Sequence, residues 1–364
     1  MTNKIKAIIA IGGTGGHVLP GCFLADHLNG MNYNVELVTD KRGYKYIKNS
    51  TNINISTLSS TPLNKKNIFT IFFSSLMVLY AILNSLIFLI IRRPSIVFGM
   101  GGYASFPICI AATILRIRFI IYENNLYIGK ANKYLLPFAN KIFVSNKELE
   151  GVPSKYNKKL EEIGNIIDKK IISISKLKLN DQANKLNILV LGGSQAAKVF
   201  GDILPNIFRK CKDEGVNLKI FQQCLKDQNE ELNKYYKEIN IEHETFNFSN
   251  NLTNYFSKIH LAITRSGSSI LAELTNVNVP FISIPLPSSA DNHQLKNALY
   301  YKKRNFAFLI EEKDLTNKLP VLLKKIFHDV SILKKLSINQ NQYSDKDVYN
   351  NINKLLNISP NEKN

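Results

Sequence analysis

Three glycine-rich segments have the composition of anion-binding loops. Each follows a short apolar run and precedes a helical pattern, and the segments are Gly12–His17, Gly99–Ala104 and Gly192–Ala196. A glycine turn between a strand and a helix points backbone N–H groups and the positive helix end at an anion such as phosphate. His17 is the only histidine in these segments. Because histidine ordinarily titrates near neutral pH, His17 is a candidate general base.

A second set of polar residues lies in the C-terminal half. Arg265-Ser266-Gly267-Ser268-Ser269 follows an apolar strand pattern and precedes a predicted helix that carries Glu273. A carboxylate in this place can accept two hydrogen bonds from a ribose diol, whereas Gln294 and Asn297, on one predicted helix face, can bind sugar hydroxyls. Glu273 alone could be a helix-start carboxylate and Gln294 a solvated side chain. Their occurrence together predicts a sugar-nucleotide site.

Two alternative interpretations involve a cofactor or a metal. Gly99–Ala104 fits G-x-G-x-x-A, and Glu123 follows at the distance of a ribose-binding acid, as in NAD(P) or flavin oxidoreductases. That match follows a middle strand instead of the first one, which disfavours an oxidoreductase. Asp345-Lys346-Asp347 is formally a metal-binding D-x-D, but its place just before a predicted helix favours a helix-start role. We therefore expect neither metal nor cofactor.

The elements that position these residues form two similar series. Short apolar runs alternate with helical patterns, which is typical of parallel α/β sheets. The first series has runs at 6–11, 34–39, 53–58, 95–98, 118–122, 141–144 and 160–163, and the second at 187–191, 217–222, 241–246, 261–264 and 281–284. We expect domains at 1–163 and 164–344, with a hinge near Gly164 and a C-terminal helix at about 345–360 that can pack back on the first domain.

Composition limits the partners and the compartment. The 364 residues carry 47 Lys+Arg against 28 Asp+Glu, a net charge of +19, which favours an anionic partner but equally fits a biased coding composition. Because no basic run is interleaved with aromatic residues, we expect no nucleic acid partner. The four cysteines form no C-x-x-C pair, and the N-terminus lacks a signal-peptide pattern. We expect a protein of the reducing cytoplasm.

One segment is unusually apolar. Residues 68–91 contain no charge and are flanked by Lys65-Lys66 and Arg92-Arg93, so their length would allow a membrane span. Spanning would put strands of one sheet on opposite sides of a bilayer. Thr70, Ser74, Ala81 and Ser85 form a small stripe that can pack on the protein, while Phe72, Phe73, Leu76, Leu83 and Phe88 add further apolar surface. We expect a helix or helical hairpin lying on an anionic membrane surface; a buried core helix is the alternative.

The order and spacing of the motifs resemble those of the MurG family, the peptidoglycan N-acetylglucosaminyltransferases. The resemblance covers nearly the whole chain. It rests on Gly12 to His17, Gly99 to Tyr103, Glu123-Asn124-Asn125, Gly192 to Gln195, and Arg265-Ser266-Gly267 with Glu273, Gln294 and Asn297. It implies an α/β GT-B glycosyltransferase fold, two Rossmann-like parallel-sheet domains facing a cleft. It also implies inverting transfer of N-acetylglucosamine from UDP-N-acetylglucosamine to the muramoyl 4-hydroxyl of undecaprenyl-linked lipid I, forming lipid II. The enzyme would lie peripherally on the cytoplasmic face of the bacterial inner membrane.

The resemblance also implies roles for individual residues. Ser194 would hold the nucleotide phosphates, Glu273 the ribose and Gln294 the N-acetylglucosamine. The uridine site would be lined by Ser249, Leu252, Ser268 and Ser269. The acceptor and reacting centre would face Thr14, Gly15, Gly16, His17, Tyr103 and Asn125, with His17, Glu123 and Tyr103 as the catalytic residues. A related transferase with another acceptor is the alternative.

Several positions depart from the family pattern. Tyr122 and Asn124 replace the usual His and Gln beside Glu123, Gly201 stands where Asn is common, and His293 replaces a Gln. Asp168 stands where the family's hinge motif ends in arginine. Since a carboxylate cannot replace a guanidinium near phosphate, either Lys169 or Lys170 makes that contact or it is absent.

Overall fold

In the computed structural model, two parallel sheets form the cores of two compact units. The structure describes residues 4–13, 15–47, 53–60, 67–174, 184–247 and 252–357, without the side chains of 68 and 194–197. The first unit comprises Met1–Lys169 with Asp345–Asn364, and the second Lys170–Ser344. The sequence placed the boundary six residues earlier, between 163 and 164.

The first unit contains a seven-stranded sheet with strand order β3-β2-β1-β4-β5-β6-β7. Every pair of neighbouring strands is parallel. The strands are β1 Ile5–Ala10, β2 Tyr33–Thr39, β3 Asn54–Thr57, β4 Ile96–Gly99, β5 Arg118–Glu123, β6 Lys141–Val144 and β7 Leu160–Glu162. The helices are α1 Gly15–Asn29, α2 Lys41–Ile47, α3 Ile68–Arg92, α4 Ser105–Ile114 and α5 Lys130–Leu135. Helix α6 Lys169–Ser173 begins at the last residue before the unit boundary and continues into the second unit. The predicted parallel α/β series is confirmed.

The second unit contains a six-stranded parallel sheet with strand order β10-β9-β8-β11-β12-β13. Its strands are β8 Leu186–Leu191, β9 Leu218–Gln223, β10 Glu242–Phe246, β11 Leu261–Arg265, β12 Phe281–Ile284 and β13 Ala307–Leu309. Its helices are α7 Gly193–Asp213, α8 Asn229–Glu238, α9 Thr253–Phe256, α10 Ser268–Asn276, α11 His293–Lys303, α12 Leu315–His328 and α13 Ser331–Gln340. The sequence missed β13, since three residues show no usable alternation.

The apolar segment forms a single helix, α3, with most of its surface exposed. Phe69–Arg92 is the one helix in the described part that is long and apolar enough to cross a membrane. Ser74, Ala81 and Ser85 are buried, and α3 packs against α4. Thr70 does not belong to the buried stripe; it completes a capping box with Asn67 instead. The exposure of α3 contradicts the alternative of a buried core helix.

The last helix, α14 Val348–Leu356, packs on the first unit. Asp345 precedes it and accepts a hydrogen bond from the Asn165 backbone N–H at 2.7 Å, and Tyr349 Oη donates to the Ile167 carbonyl at 2.6 Å. Asp347 occupies the N-cap position, as the helix-start interpretation of Asp345-Lys346-Asp347 predicts, but its side chain makes no capping hydrogen bond. These contacts hold the hinge segment against the C-terminal helix.

His27 of α1 forms another contact with α14. Its Nε2 lies 2.8 Å from Asn353 Oδ1, and its ring packs on Tyr349 with centroids 4.5 Å apart. Burial lowers the pKa of His27, opposed by the hydrogen bond to Asn353. The folded protein therefore binds a proton at His27 less readily than the unfolded chain does.

We predict that this histidine makes the first unit less stable in mild acid. As pH falls below about 6.5, the unfolded chain protonates His27 while the folded protein resists, so the free energy of unfolding falls by up to about 1.4 kcal/mol per pH unit. Urea unfolding between pH 7.5 and 5 measures this dependence. The free energy of unfolding should fall less steeply with decreasing pH in His27→Gln than in the wild-type protein. The exposed His328→Gln serves as the control. An unchanged slope in His27→Gln would contradict the prediction.

Candidate active site

Two glycine loops meet at the carboxyl edge of the first sheet. The Gly12–Gly16 loop follows β1, the Gly99–Ala104 loop follows β4, and these neighbouring strands flank the point where strand order reverses. A Cβ on Gly12 would lie 2.2 Å from the Ala104 Cβ, and one on Gly102 would lie 2.8 Å from the Gly12 carbonyl oxygen. The contact between the loops therefore requires glycine at both positions.

His17 lies against the second of these loops. The half-buried side chain sits in the first turn of α1, and a Cβ on Gly101 would lie 2.9 Å from its Nδ1. Gly101 has a φ of +89°, which also favours glycine. Of the other predicted acceptor residues, Gly15 and Gly16 begin α1 and Tyr103 is exposed, whereas Thr14 lies outside the described residues. The structure thus brings His17 and both glycine loops together.

Glu123 ends β5 and is only 1% exposed. One carboxylate oxygen accepts hydrogen bonds from the Asn125 backbone N–H at 3.1 Å and Asn125 Nδ2 at 3.0 Å. The other accepts from the Gly129 N–H at 2.9 Å and Asn132 Nδ2 at 3.0 Å. These four donors make Glu123 the organising residue of its loop. The sequence predicted a catalytic role, and contact of Glu123 with the reacting atoms stays a prediction.

The residues beside Glu123 connect this loop to its surroundings. Asn124 Nδ2 donates to the Gly16 carbonyl at 2.9 Å, so the loop after β5 is tied to the first glycine loop. Asn125, a predicted acceptor ligand, also donates to Asn124 Oδ1 at 3.2 Å. Tyr122 Oη accepts from the Ile166 N–H at 3.0 Å. The departures from the family pattern at 122 and 124 are therefore structural links.

In the second unit, Ser266 is held at three points in the loop between β11 and α10. Its N–H donates to Gln294 Oε1 at 3.1 Å, its carbonyl accepts from Asn297 Nδ2 at 3.1 Å, and its hydroxyl lies 2.7 Å from that of Ser283. Gln294 Oε1 also accepts from the Leu286 N–H at 3.0 Å. The loop that opens α10 is thereby fixed to β12 and α11.

These contacts give Gln294 and Asn297 positions that the sequence did not predict. Asn297 is 1% exposed, so its observed contact supports the loop, and direct binding of a sugar by Asn297 stays a prediction. Gln294 is half-buried and uses its oxygen for two backbone N–H groups. Its NH₂ group is then the part suited to a ligand, as a donor to a sugar hydroxyl.

Other residues of the predicted donor site that the structure describes lie around the same edge. Glu273 is mostly buried in the second turn of α10, and Ser268 and Ser269 form the start of that helix. Leu252 is half-buried before α9. At the start of α7, the Gly193 N–H donates to Gln223 Oε1 at 3.1 Å. Ser249 and the side chain of Ser194 lie outside the described part of the chain.

At the hinge, Asp168 lies among other charges of the first unit. Burial, followed by the nearby charge of Asp168, raises the pKa of Asp26. Lys169 Nζ lies 4.9 Å above the Tyr349 ring. The ammonium of Lys169 therefore lies close to Tyr349 of α14, and its charge lowers the pKa of Asp26. It stays a prediction that either Lys169 or Lys170 substitutes for the family arginine, or that this contact is absent.

Comparison with known proteins agrees with this architecture. The family "Glycosyltransferase family 28 N-terminal domain" matches residues 7–144, and "Glycosyltransferase family 28 C-terminal domain" matches 187–352. The UDP-N-acetylglucosamine--N-acetylmuramyl-(pentapeptide) pyrophosphoryl-undecaprenol N-acetylglucosamine transferase of Pelagibacter ubique is 32% identical over 357 residues, covering 97% of this chain and 98% of the relative. The chain belongs to the MurG family. It is an N-acetylglucosaminyltransferase, and the oxidoreductase alternative is not favoured.

Solved structures agree on the fold. The crystal structure of Acinetobacter baumannii MurG is 22% identical, with a TM-score of 0.74, covering 98% of this chain and 100% of that one. A UDP co-structure of S. aureus MnaA is 18% identical, with a TM-score of 0.65 and 99% coverage of both chains. The two parallel-sheet units therefore have the GT-B glycosyltransferase fold, as the motifs implied. In this chain, a glycine loop follows the first strand of each unit.

We predict that Gly101→Ala lowers transferase turnover at least about tenfold, because the new methyl group displaces the His17 ring. Gly215→Ala is the matched control: its φ of +87° imposes similar strain, but no atom lies within 4 Å of the added Cβ. The control should cost about 1 kcal/mol of stability and keep its kcat. Initial rates and melting temperatures of both variants test this, and wild-type kcat in Gly101→Ala would refute it.

Proposed function

We propose that this MurG-family chain transfers N-acetylglucosamine from UDP-N-acetylglucosamine to the 4-hydroxyl of the N-acetylmuramoyl sugar of lipid I, giving lipid II. The main support for this proposal is that a transferase named for these substrates aligns with 97% of the chain, through both glycosyltransferase domains. Those predicted residues that the structure describes also lie around the carboxyl edge of the sheet in each unit, where α/β proteins bind ligands.

The second unit has the groups needed to bind the donor. The start of α7 presents backbone N–H groups and a positive helix end to the diphosphate. Glu273, on α10, can accept hydrogen bonds from the ribose hydroxyls. The Gln294 NH₂ group can donate to a hydroxyl of the transferred sugar. A UDP-sugar therefore fits the chemistry of this edge.

The first unit has the groups needed to activate the acceptor. In an inverting displacement, the acceptor hydroxyl oxygen forms a bond to C1 of N-acetylglucosamine while the bond from C1 to the β-phosphate oxygen breaks. The hydroxyl proton passes to a ring nitrogen of His17, which the second glycine loop holds in place. The departing UDP keeps the bonding electron pair, and the start of α7 stabilises its charge.

The proposal predicts labelled N-acetylglucosamine transfer to lipid I in detergent by the full-length chain. His17→Ala should lower kcat about 10²-fold to 10⁴-fold with little change in UDP affinity, because it removes the base. Glu273→Ala should raise the donor KM about tenfold or more, because it removes hydrogen bonds to a charged group. Glu238→Ala, an exposed position on α8, is the control. Donor binding without any glycosylation of lipid I would overturn the proposed function.

For localisation, we propose that the chain binds peripherally to the cytoplasmic face of the inner membrane through α3. Aromatic residues of its N-terminal half are strongly exposed, with Phe69 at 73%, Phe72 at 61% and Phe73 at 65%. The opposite side of α3 packs on α4, and the strands before and after the helix, β3 and β4, belong to one sheet. A spanning α3 would have to separate those strands. An interfacial position buries the aromatic face and leaves the sheet intact.

We predict that Phe72→Ser/Phe73→Ser lowers affinity for vesicles containing anionic lipid at least about tenfold, since two phenylalanine side chains lose their burial in lipid. Wild-type binding should weaken with salt, because the net charge of +19 contributes. Val321→Ser, an exposed apolar position on α12, is the matched control. Vesicle sedimentation measures the affinity. Retention of the wild-type protein in membranes after alkaline carbonate would instead indicate a spanning helix.

A further inference from the structure

Polar side chains cross-link strands β12 and β13 at both edges of the second sheet. At the amino edge, Gln340 Nε2 donates to the carbonyls of Val279 at 3.1 Å and Phe306 at 2.9 Å, just before the two strands. At the carboxyl edge, Arg265 Nη1 lies 3.4 Å from the Pro285 carbonyl after β12, and Nη2 pairs with Glu312 after β13. The two cross-links are similar, but only the second lies at the predicted donor edge.

The Arg265 guanidinium is unusual for a charged group because it is 5% exposed. Burial lowers the pKa of Arg265, and the Glu312 carboxylate opposes that effect. Within the described structure, Arg265 Nε is buried with no hydrogen-bond partner. Buried ion pairs can often be replaced by apolar residues without loss of stability. A contribution to stability therefore does not explain why a buried arginine occupies this position. The elements that Arg265 connects suggest a different role.

Arg265 connects the two parts of the predicted donor site. Its backbone leads directly into Ser266, the residue held by Gln294 and Asn297, and so into the start of α10. Its guanidinium lies 4.5 Å from the centroid of the Phe200 ring, in the second turn of α7. The start of α7 is predicted to bind the diphosphate, and α10 the nucleoside. Arg265 thus links both elements, because its side chain contacts α7 and its backbone leads into α10.

We propose that Arg265, held in place by Glu312, is a positioning residue that sets the spacing between the start of α7 and the loop that opens α10. UDP engages both elements and depends on this spacing, whereas uridine lacks the diphosphate and does not engage the start of α7. The inference rests on the proposed function for the identity of the donor. Beyond that function, the inference states that the start of α7 and the loop that opens α10 are coupled within the donor site.

Binding of UDP and uridine to the full-length chain, measured by calorimetry, tests this coupling. In Arg265→Met/Glu312→Leu, which removes both charges, we expect the ratio of UDP affinity to uridine affinity to fall about tenfold. The KM for UDP-N-acetylglucosamine should rise by a similar factor, with the KM for lipid I unchanged within about twofold. Glu312→Gln keeps the side-chain volume and should shift the ratio in the same direction, and it suffices if the double variant does not fold.

Gln340→Met is the matched control, because it removes the corresponding cross-link at the amino edge. It should lower the melting temperature and leave the affinity ratio unchanged. The inference is overturned if the charge-removing variants keep the wild-type ratio, or if Gln340→Met shifts it equally. If wild-type protein binds UDP but glycosylates no lipid I, the proposed function fails, whereas the affinity ratio still decides the role of Arg265.

Discussion

The close approach of the Gly12 loop to the Gly99–Ala104 loop constrains the geometry of the candidate site in the first unit. Gly12 lies where a Cβ would overlap Ala104, and Gly102 lies against the Gly12 carbonyl. The same closeness places the His17 ring on Gly101. Asn124 then connects Gly16 to the loop organised by Glu123. The candidate base and its neighbours therefore form one assembly. Its geometry depends on glycine, which has no side chain, at a few backbone positions.

The second unit positions its candidate residues by a different means. Ser266 is held by side chains from β12 and α11, and Arg265 carries the connection onward to α7 and to Glu312. Close backbone packing positions the candidate residues of the first unit, whereas buried hydrogen bonds and an ion pair position those of the second. Both devices limit reorganisation when a ligand binds, which is the physical basis of preorganised electrostatic stabilisation.

Apolar runs and glycine turns were enough to predict both parallel sheets and the helices that begin at Gly15, Ser105 and Gly193. These signals are local. The functions of buried polar groups were less accessible, because Arg265 and Glu312 are 47 positions apart and no local pattern joins them. Asn297 was correctly placed on a helix, but its burial against the Ser266 carbonyl depends on tertiary packing. Sequence patterns thus identified the residues around each edge more reliably than the atoms that each residue contacts.

Helix α3 has a consequence for how the protein is made. During synthesis the ribosome releases α3 before β4 to β7 exist, so its partner helix α4 is not yet available. For that interval the nascent chain displays a charge-free stretch as long as a transmembrane helix. Length and apolarity are the features by which a nascent segment is taken for a membrane span. The time that translation needs to deliver α4 and the remaining strands therefore sets how long the packing face of α3 stays uncovered.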